Sequence, residues 1–568
     1  MDNKVPFLIL RRMRVPLLAL IGAYAASVLG LTLMPGIEID GEPTHISIFH
    51  AFYIMTYTAT TTGFGELPHA FSDAQRLWVT FSLYLSVVAW VYAIGALIAL
   101  FQDRAFKQVI EENRFASAVR RQSEPFYIVC GYGDTGGLVV RSMAGCGLSA
   151  VVIDVAQDRI NELTLENLPY HVPGLCANAS HPANLKRAGL EHPQCAGVVA
   201  LTDSDHVNLK IAITAKLIAP ELRVICRAQT HDAQANMASF GTDAVINPFD
   251  IFADRLAMAL HSPDMHRLHE WLTATSGMPL PERIDPPRGT WLLCGYGRFG
   301  KAVNRFLEYE GLSTVIIESE PEKTRAPKET VVGRGTEAVT LRAAHIESAV
   351  GIVAGTDDDA NNLSIIMTAR SLNLNLFMVA RQNSRDNDDI FEAARLDLVM
   401  QRSRIISRRI LALISTPLLT DFLRLARHQN NEWARALIER LRPVIGTRVP
   451  ALWAVPVTEQ GAPAVFSALR EARDIQLDHL CRDPYARDRT LPCVPLLLMR
   501  EDDELLLPEP ATALQPGDRL LLCGRSRAEL RMLWTLRNAN ALAYVESGEQ
   551  PRDSYVSRLL FGRRARAG

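Results

Sequence analysis

Residues 126–154, FYIVCGYGDTGGLVVRSMAGCGLSAVVID, recur 164 positions later as residues 290–318, TWLLCGYGRFGKAVNRFLEYEGLSTVIIE. CGYG and GLS stand in identical places. In each copy a short apolar run, 126–130 or 291–294, enters G-x-G-x-x-G. The glycines are Gly131, Gly133 and Gly136, then Gly295, Gly297 and Gly300. A helical stretch follows, and a second apolar strand ends in an acid, Asp154 or Glu318. Each acid lies 23 residues past its first glycine. Glycines let the backbone approach a pyrophosphate, the helix N-terminus offers N–H groups, and the acid accepts from a ribose hydroxyl. Strand, helix and spaced acid occur twice, so the spacing predicts two Rossmann-like α/β folds.

The repeat extends outward. Val199-Ala200-Leu201-Thr202-Asp203, with Asn208-Leu209, aligns with Val353-Ala354-Gly355-Thr356-Asp357 and Asn362-Leu363. Arg227 matches Arg381 at the same offset of 154. The chain therefore carries two copies of one domain. Candidate nucleotide contacts are Gly131, Gly133, Asp134, Gly136, Asp154 and Asp203 in the first copy. In the second they are Gly295, Gly297, Arg298, Gly300, Glu318 and Asp357. Asp134 would repel a phosphate where Arg298 would pair with one, so either copy is open as the binding one.

These copies resemble RCK domains, regulators of potassium conductance. The resemblance includes Ala177-Asn178-Ala179-Ser180, where the family has Gly-Asp-Ala-Thr/Ser, and the run from Gly241 to Pro248. It implies an adenine-side contact at Asn178, which replaces the family's Asp. It also implies a regulatory, non-catalytic NAD or adenine nucleotide, with a regulatory divalent cation as a further candidate. RCK domains pair through helices after the Rossmann core, here residues 250–260 and 403–427. Residues 279–289 (PLPERIDPPRG) read as the linker between copies. The resemblance divides this region into a first RCK domain (124–285), a second (286–440) and a small α+β C-terminal subdomain (441–530). Residues 531–568, ending in the basic run 558–566, read as a tail.

Upstream, residues 15–34 (VPLLALIGAYAASVLGLTLM) and 77–101 (LWVTFSLYLSVVAWVYAIGALIALF) carry no charge. At 1.5 Å per residue each suffices to cross a bilayer. Lys4, Arg11, Arg12 and Arg14 precede the first, while Arg104, Lys107, Arg114, Arg120 and Arg121 follow the second. Residues 35–76 hold one basic residue, Arg76. The positive-inside rule puts both termini in the cytoplasm of a multi-pass inner (plasma) membrane protein. Between the spans lies Thr58-Ala59-Thr60-Thr61-Thr62-Gly63-Phe64-Gly65-Glu66. Gly63 and Gly65 can take backbone angles closed to other residues, letting successive carbonyls replace a cation's hydration shell. A short helix over 46–59 would lead into that loop.

This segment resembles the pore of potassium channels, with outer span, pore helix, filter and inner span. The family's filter, Thr-Val/Ile-Gly-Tyr/Phe-Gly-Asp, stands here as Thr61-Thr62-Gly63-Phe64-Gly65-Glu66. The resemblance implies potassium held by backbone carbonyls of Thr61, Thr62, Gly63 and Phe64, and a homotetramer around one axis. Thr62 and Glu66 depart from the pattern, which leaves potassium-over-sodium selectivity open. The family's hinge position falls at Leu85-Ser86; the span's glycine is Gly95. The module would cover 1–103, with pore helix and filter at 45–66, and a linker helix would cover 104–123.

Composition sets the outer limits. The chain has 568 residues, 48% hydrophobic and 21% charged, with a formal net charge of −2. That excludes a disordered chain and gives no support for a nucleic-acid partner. Mean hydropathy of +0.05 is too low for a mostly membrane-embedded chain. None of the nine cysteines precedes residue 130 and none forms C-x-x-C, which favours free thiols in a reducing compartment. His206 is the best candidate base for a Rossmann dehydrogenase, but its counterpart is Ala360, and no Ser-His-Asp, zincin or Walker motif appears. The expectation is therefore a ligand-gated potassium channel and not an enzyme. A non-selective cation channel with the same gating ring, or a membrane-tethered NAD-dependent oxidoreductase, stays open as the alternative.

Overall fold

The computed structural model describes residues 4–39, 42–60, 62–67, 70–274, 277–501 and 503–548. The chain divides into two compact units, Met1–Arg121 and Gln122–Gly568.

The first unit is helical: α1 (Lys4–Leu33), α2 (Ile48–Ala59), α3 (Asp73–Gln102) and α4 (Arg104–Arg120). Met13–Leu33 and Asp73–Gln102 are long and apolar enough to cross a membrane, and they contain the two expected spans. Ser72 starts α3 with a reciprocal cap to Gln75, and its hydroxyl donates to the Pro35 carbonyl at 2.7 Å. Helices α1 and α3 meet at Gly30, where a Cβ would lie 2.0 Å from the Trp78 ring. The Trp78 indole N–H donates to the Ser27 carbonyl at 3.0 Å. One face of α2 (Ala51, Ile54, Met55, Tyr57) is buried with Leu31 and Phe71. The linker helix is a separate element and does not continue α3. Asp103 is extended, and its carboxylate accepts from the Phe106 N–H, capping α4 as a separate helix.

In the second unit, β1 (Phe126–Cys130), β2 (Ser149–Asp154), β3 (Gly174–Cys176), β4 (Cys195–Ala200), β5 (Arg223–Arg227) and β6 (Ala244–Ile246) form a parallel sheet. Its order is β3-β2-β1-β4-β5-β6. A second parallel sheet repeats that order with β7 (Thr290–Cys294), β8 (Ser313–Glu318), β9 (Val331–Val332), β10 (Gly351–Ala354), β11 (Phe377–Gln382) and β12 (Leu398–Gln401). In both, the strand order reverses beside the first strand, which opens a crevice at the strands' carboxyl ends.

The two Rossmann folds exchange helices. Helix α5 (Asp134–Gly145) packs not only on its own sheet but under Ile406, Ile410 and Ile414, which lie far along the chain. Reciprocally, Phe249, Phe252, Leu256 and Leu260 of α6 (Pro248–His261) share a core with Trp291, Leu293 and Phe299 of the second sheet. Helix α7 (Pro263–Thr273) follows α6, and α8 (Arg298–Tyr309) follows β7. The helix expected over 403–427 is two: α9 (Arg402–Ser415) and α10 (Pro417–Ala426). Pro417 disfavours helical backbone at the residue before it, and Thr416 leaves the helical region at φ −144°, ψ 71°.

The C-terminal sheet is antiparallel, with β13 (Ala451–Pro456), β14 (Cys493–Arg500), β15 (Asp503–Leu506) and β16 (Arg519–Gly524) in the order β13-β16-β14-β15. Met532, Leu536, Leu542 and Val545 are buried in its core with Trp453 and Leu520. The packed fold therefore continues to Ser547, past residue 530 where a tail was expected, because helices Ser526–Arg537 and Ala539–Ser547 cover this sheet. The basic run 558–566 lies outside the described residues.

Candidate functional site

The crevice of the first sheet is a cleft of 660 Å³. All seven expected first-copy residues line it: Gly131, Gly133, Asp134, Gly136, Asp154, Asn178 and Asp203. Its floor is built by close approach. Gly131 has φ +101°, and a Cβ at Gly136 would stand 1.9 Å from the Gly131 carbonyl oxygen, so only glycine lets α5 close on the loop. Gly133 is the α5 N-cap and supplies no side-chain cap, which leaves the first-turn N–H groups to other acceptors. Asp154 is 4% exposed. One of its oxygens accepts from the Tyr132 N–H at 2.6 Å and the other from the Ala156 N–H at 2.8 Å. The carboxylate thus braces the glycine loop; Arg159 stands 3.6 Å from the oxygen that Tyr132 engages, and the other oxygen keeps a lone pair for a ribose hydroxyl.

Arg227, at the end of β5, is the cleft's buried cation. One Nη donates to Asp203 at 3.0 Å, while Nε and the other Nη have no partner. The far wall comes from the second half of the chain: Asn383, Arg402 and Ser403 line the same cleft. Burial pushes the Arg402 pKa down, and the nearby charge of Arg227 adds to that shift. Two guanidinium groups crowded at a cleft with orphaned donors suit an anionic ligand.

The second sheet repeats the scaffold. Gly295 has φ +94°, and a Cβ at Gly300 would lie 2.0 Å from the Gly295 oxygen. Gly297 caps α8. Glu318 accepts from the Tyr296 N–H at 2.7 Å and the Glu320 N–H at 3.0 Å, so the longer acid gives the same brace. The surroundings differ. Arg298 and Arg381 lie over the Phe249 ring at 5.8 and 5.3 Å, held by cation–π contact with the swapped α6. Burial, then the charge of Arg402, takes the Arg381 pKa down to about 10, while Asp357 opposes that shift. Arg298, expected to pair with a phosphate, therefore faces an aromatic ring.

In the first unit, Thr62, Gly63, Phe64 and Gly65 form an exposed loop between α2 and α3; Thr61 lies outside the described residues. Gly63 and Gly65 have φ +64° and +91°, the left-handed region that disfavours side chains. The Thr62 N–H donates to the Tyr57 carbonyl at 2.9 Å, and the Tyr57 hydroxyl donates to the Gly65 carbonyl at 2.5 Å. The Phe64 ring stacks on Tyr53 and meets Tyr57 edge-on. Glu66 accepts from the Phe71 N–H at 2.9 Å and from Arg76 at 2.8 and 3.1 Å. The loop is thus tied at both ends to α2 and α3. Among the described residues no group of three or more His, Cys, Asp or Glu is arranged to hold a metal ion. His206 is exposed on the helix Asp205–Ile218.

The TrkA-N domain model matches this chain twice, at residues 127–248 and 291–402. Each match covers one of the two Rossmann folds. Potassium channel protein 1 of Methanocaldococcus jannaschii is 25% identical over 228 residues, 40% of this chain and 66% of that protein. Probable potassium channel protein 2 of the same organism is 24% identical over 212 residues, 37% of this chain and 60% of that protein. The matches thus span less than two thirds of each relative. Among solved structures, the GsuK channel bound to NAD has a TM-score of 0.47 at 15% identity, covering 95% of this chain and 100% of that one.

Sequence reading found the glycine loop and its acid in each Rossmann fold but not Arg227 as a site residue. The signal was there, since Arg227 recurs as Arg381 in the repeat. Asn383 and Arg402 carried no such signal. They reach the first Rossmann fold only through the helix exchange.

Proposed function

We propose that this chain is the subunit of a tetrameric potassium channel whose gate is biased by a nucleotide held in the first Rossmann fold. The observation that carries the reading is the loop Thr62–Gly65, with Gly63 and Gly65 left-handed, between two long apolar helices whose most apolar stretches are mostly unburied. Apolar side chains such as Leu18, Ile21, Leu77, Val88 and Val91 are exposed, as a bilayer or neighbouring subunits require. Non-helical backbone at membrane depth is tolerated where it lines a water-filled path. The names of the relatives support the same reading. On it, residues 1–103 are the pore module in a plasma membrane, 104–123 the linker, 124–285 and 286–440 the regulatory domains, and both termini are cytoplasmic.

The first cleft has the volume of a small-molecule site. Gly131, Gly133, Gly136 and the α5 N-terminus would take a pyrophosphate, Asp154 a ribose, and Asn178 the base side, with Arg227 buried in the wall and Asp203 at the rim. The ligand would touch both Rossmann folds because Asn383 and Arg402 complete the wall. On this reading the nucleotide regulates the gate and is not turned over. Moving a gate from 1:99 to 99:1 takes about 5.5 kcal/mol. Four sites contributing about 1.4 kcal/mol each supply it.

Liposomes containing only this protein test the proposal. Potassium flux should appear, respond to NAD, ADP or ATP, and vanish in Gly63→Ala. Sodium flux in the same vesicles measures selectivity at Thr62 and Glu66. Purified tetramers that pass no cation under any nucleotide would overturn the reading.

A further inference from the structure

A second cleft, of 810 Å³, lies in the cytoplasm-type unit away from both glycine loops. It is walled by the edge strand β6 and by helices α6, α7, α9 and α10. Its three lining carboxylates are all engaged. Asp243 pairs with Lys216 at 2.8 Å, Asp250 with Arg305 at 2.7 Å, and Asp254 with Arg427. Arg424, also in the lining, pairs with Glu504.

The remaining cations are in excess. Arg255 and Arg408 share one acid, Glu270, at 2.8 Å each. Arg409 makes no hydrogen bond or ion pair among the described residues. Arg255 and Arg408 thus share one paired carboxylate, Asp254 acts on Arg255 without pairing to it, and Arg409 has no acid paired to it, so positive charge is in excess here. Burial pushes the Arg409 pKa down, and the charge of Arg255 adds to it. Buried donors are orphaned at the same place: Arg255 Nε and the Thr420 hydroxyl have no partner, nor has His269 Nδ1. Desolvation and Arg255 hold His269 neutral, with a pKa of about 3, so it can donate without adding charge. Uncompensated buried charge is costly, and a dianion would remove the excess.

We propose that this cleft binds a phosphate dianion, free or as a small phosphomonoester, held by Arg409, Arg255 Nε and Thr420. The cleft is far larger than phosphate alone, which leaves room for an organic group. The site is independent of the nucleotide reading. Because α6 sits on the second sheet and α9 on the first, an anion joining Arg255 to Arg409 would tie the exchanged helices together.

Titration calorimetry on the full-length protein in detergent, at constant ionic strength in chloride, tests it. The probes are inorganic phosphate and glycerol 3-phosphate. Both should bind, and Arg409→Gln should weaken both at least tenfold while leaving NAD, ADP and ATP binding at the first cleft unchanged. Tighter binding of glycerol 3-phosphate assigns the site to a monoester, and equal binding assigns it to free phosphate. Arg409→Lys, which keeps the charge but loses the fork, should weaken binding by less and serves if Arg409→Gln fails to fold. No heat beyond chloride from either probe, or parent-like binding by Arg409→Gln, would overturn the proposal.

Discussion

Asp203 and Arg227 form an ion pair at 3.0 Å in which the acid is 80% exposed and the arginine 4% exposed. The pair is lopsided. Its carboxylate is solvated, and the guanidinium is buried with two nitrogens unpartnered. A buried cation kept that way is poised for a second anion.

Arg227→Ala should therefore weaken nucleotide binding about 10- to 100-fold, the loss of a charged hydrogen bond of about 1.5–3 kcal/mol. Arg227→Lys should recover part of it. Arg381→Ala, whose guanidinium stacks on Phe249, should leave affinity within about threefold. Calorimetry with NAD, ADP and ATP measures all three variants. The opposite ranking, with Arg381 sensitive and Arg227 silent, moves the ligand to the second domain.

Gly136→Ala and Gly300→Ala should each lower the melting temperature of the two Rossmann folds. Their Cβ atoms would stand 1.9 and 2.0 Å from backbone oxygens of Gly131 and Gly295, which cannot swing aside as a side chain would. Overpacking of this kind costs about 1–3 kcal/mol. Gly297→Ala, with nothing within 4 Å, is the control and should cost less, about the difference between glycine and alanine at an N-cap. Equal melting temperatures for all three would show that the loops shift freely.

These residues also show what was readable beforehand. The glycine loops, their spaced acids and the Rossmann-like fold follow from local pattern, because spacing along the chain fixes which atoms meet within one β-α-β unit. Gly63 and Gly65 were legible for the same reason. The break at Thr416 was missed although Pro417 announced it. The helix exchange was not legible. Ile410 and Val140 are 270 positions apart, and an amphipathic helix states that one face is buried without naming the sheet that buries it. Arg402 in the first cleft, and the cation excess around Arg409, follow from that exchange.

His269 sets a pH dependence. Burial first, then Arg255, holds its folded pKa at about 3, with His266 and Arg409 acting the same way and Glu270 opposing. Its unfolded value is about 6.5. A depressed histidine binds more protons when unfolded, so its stabilising contribution is full above about pH 6.5 and falls progressively toward pH 3. Between pH 7 and 5 the loss is at most about 2 kcal/mol, since one pKa unit is about 1.4 kcal/mol. Glu270, held at about 2 by Arg255 and Arg408 against its own desolvation, adds a further loss only below about pH 4.5. Melting scans of the parent should therefore slope downward from pH 7 to 5, and His269→Gln should flatten that slope. A parent curve flat to pH 5 would mean that His269 charges freely in the fold.

The exchanged helices predict crossed effects. Ile410 is fully buried against Val139, Val140 and Met143 of the first domain, although it belongs to the sequence of the second. Phe252 is buried against Phe299 and Val303 of the second domain, although it belongs to the first. Ile410→Ala should cost about 2–5 kcal/mol and Phe252→Ala about 3–5 kcal/mol. Hydrogen exchange read by mass spectrometry can locate each loss. Ile410→Ala should speed exchange in 134–145 more than in 298–309, and Phe252→Ala should do the reverse. If each variant loosens only the domain that its own sequence encodes, the helices return to their own sheets in solution. In that case Arg402 would no longer wall the first cleft, and a nucleotide there would have no direct hold on the second domain.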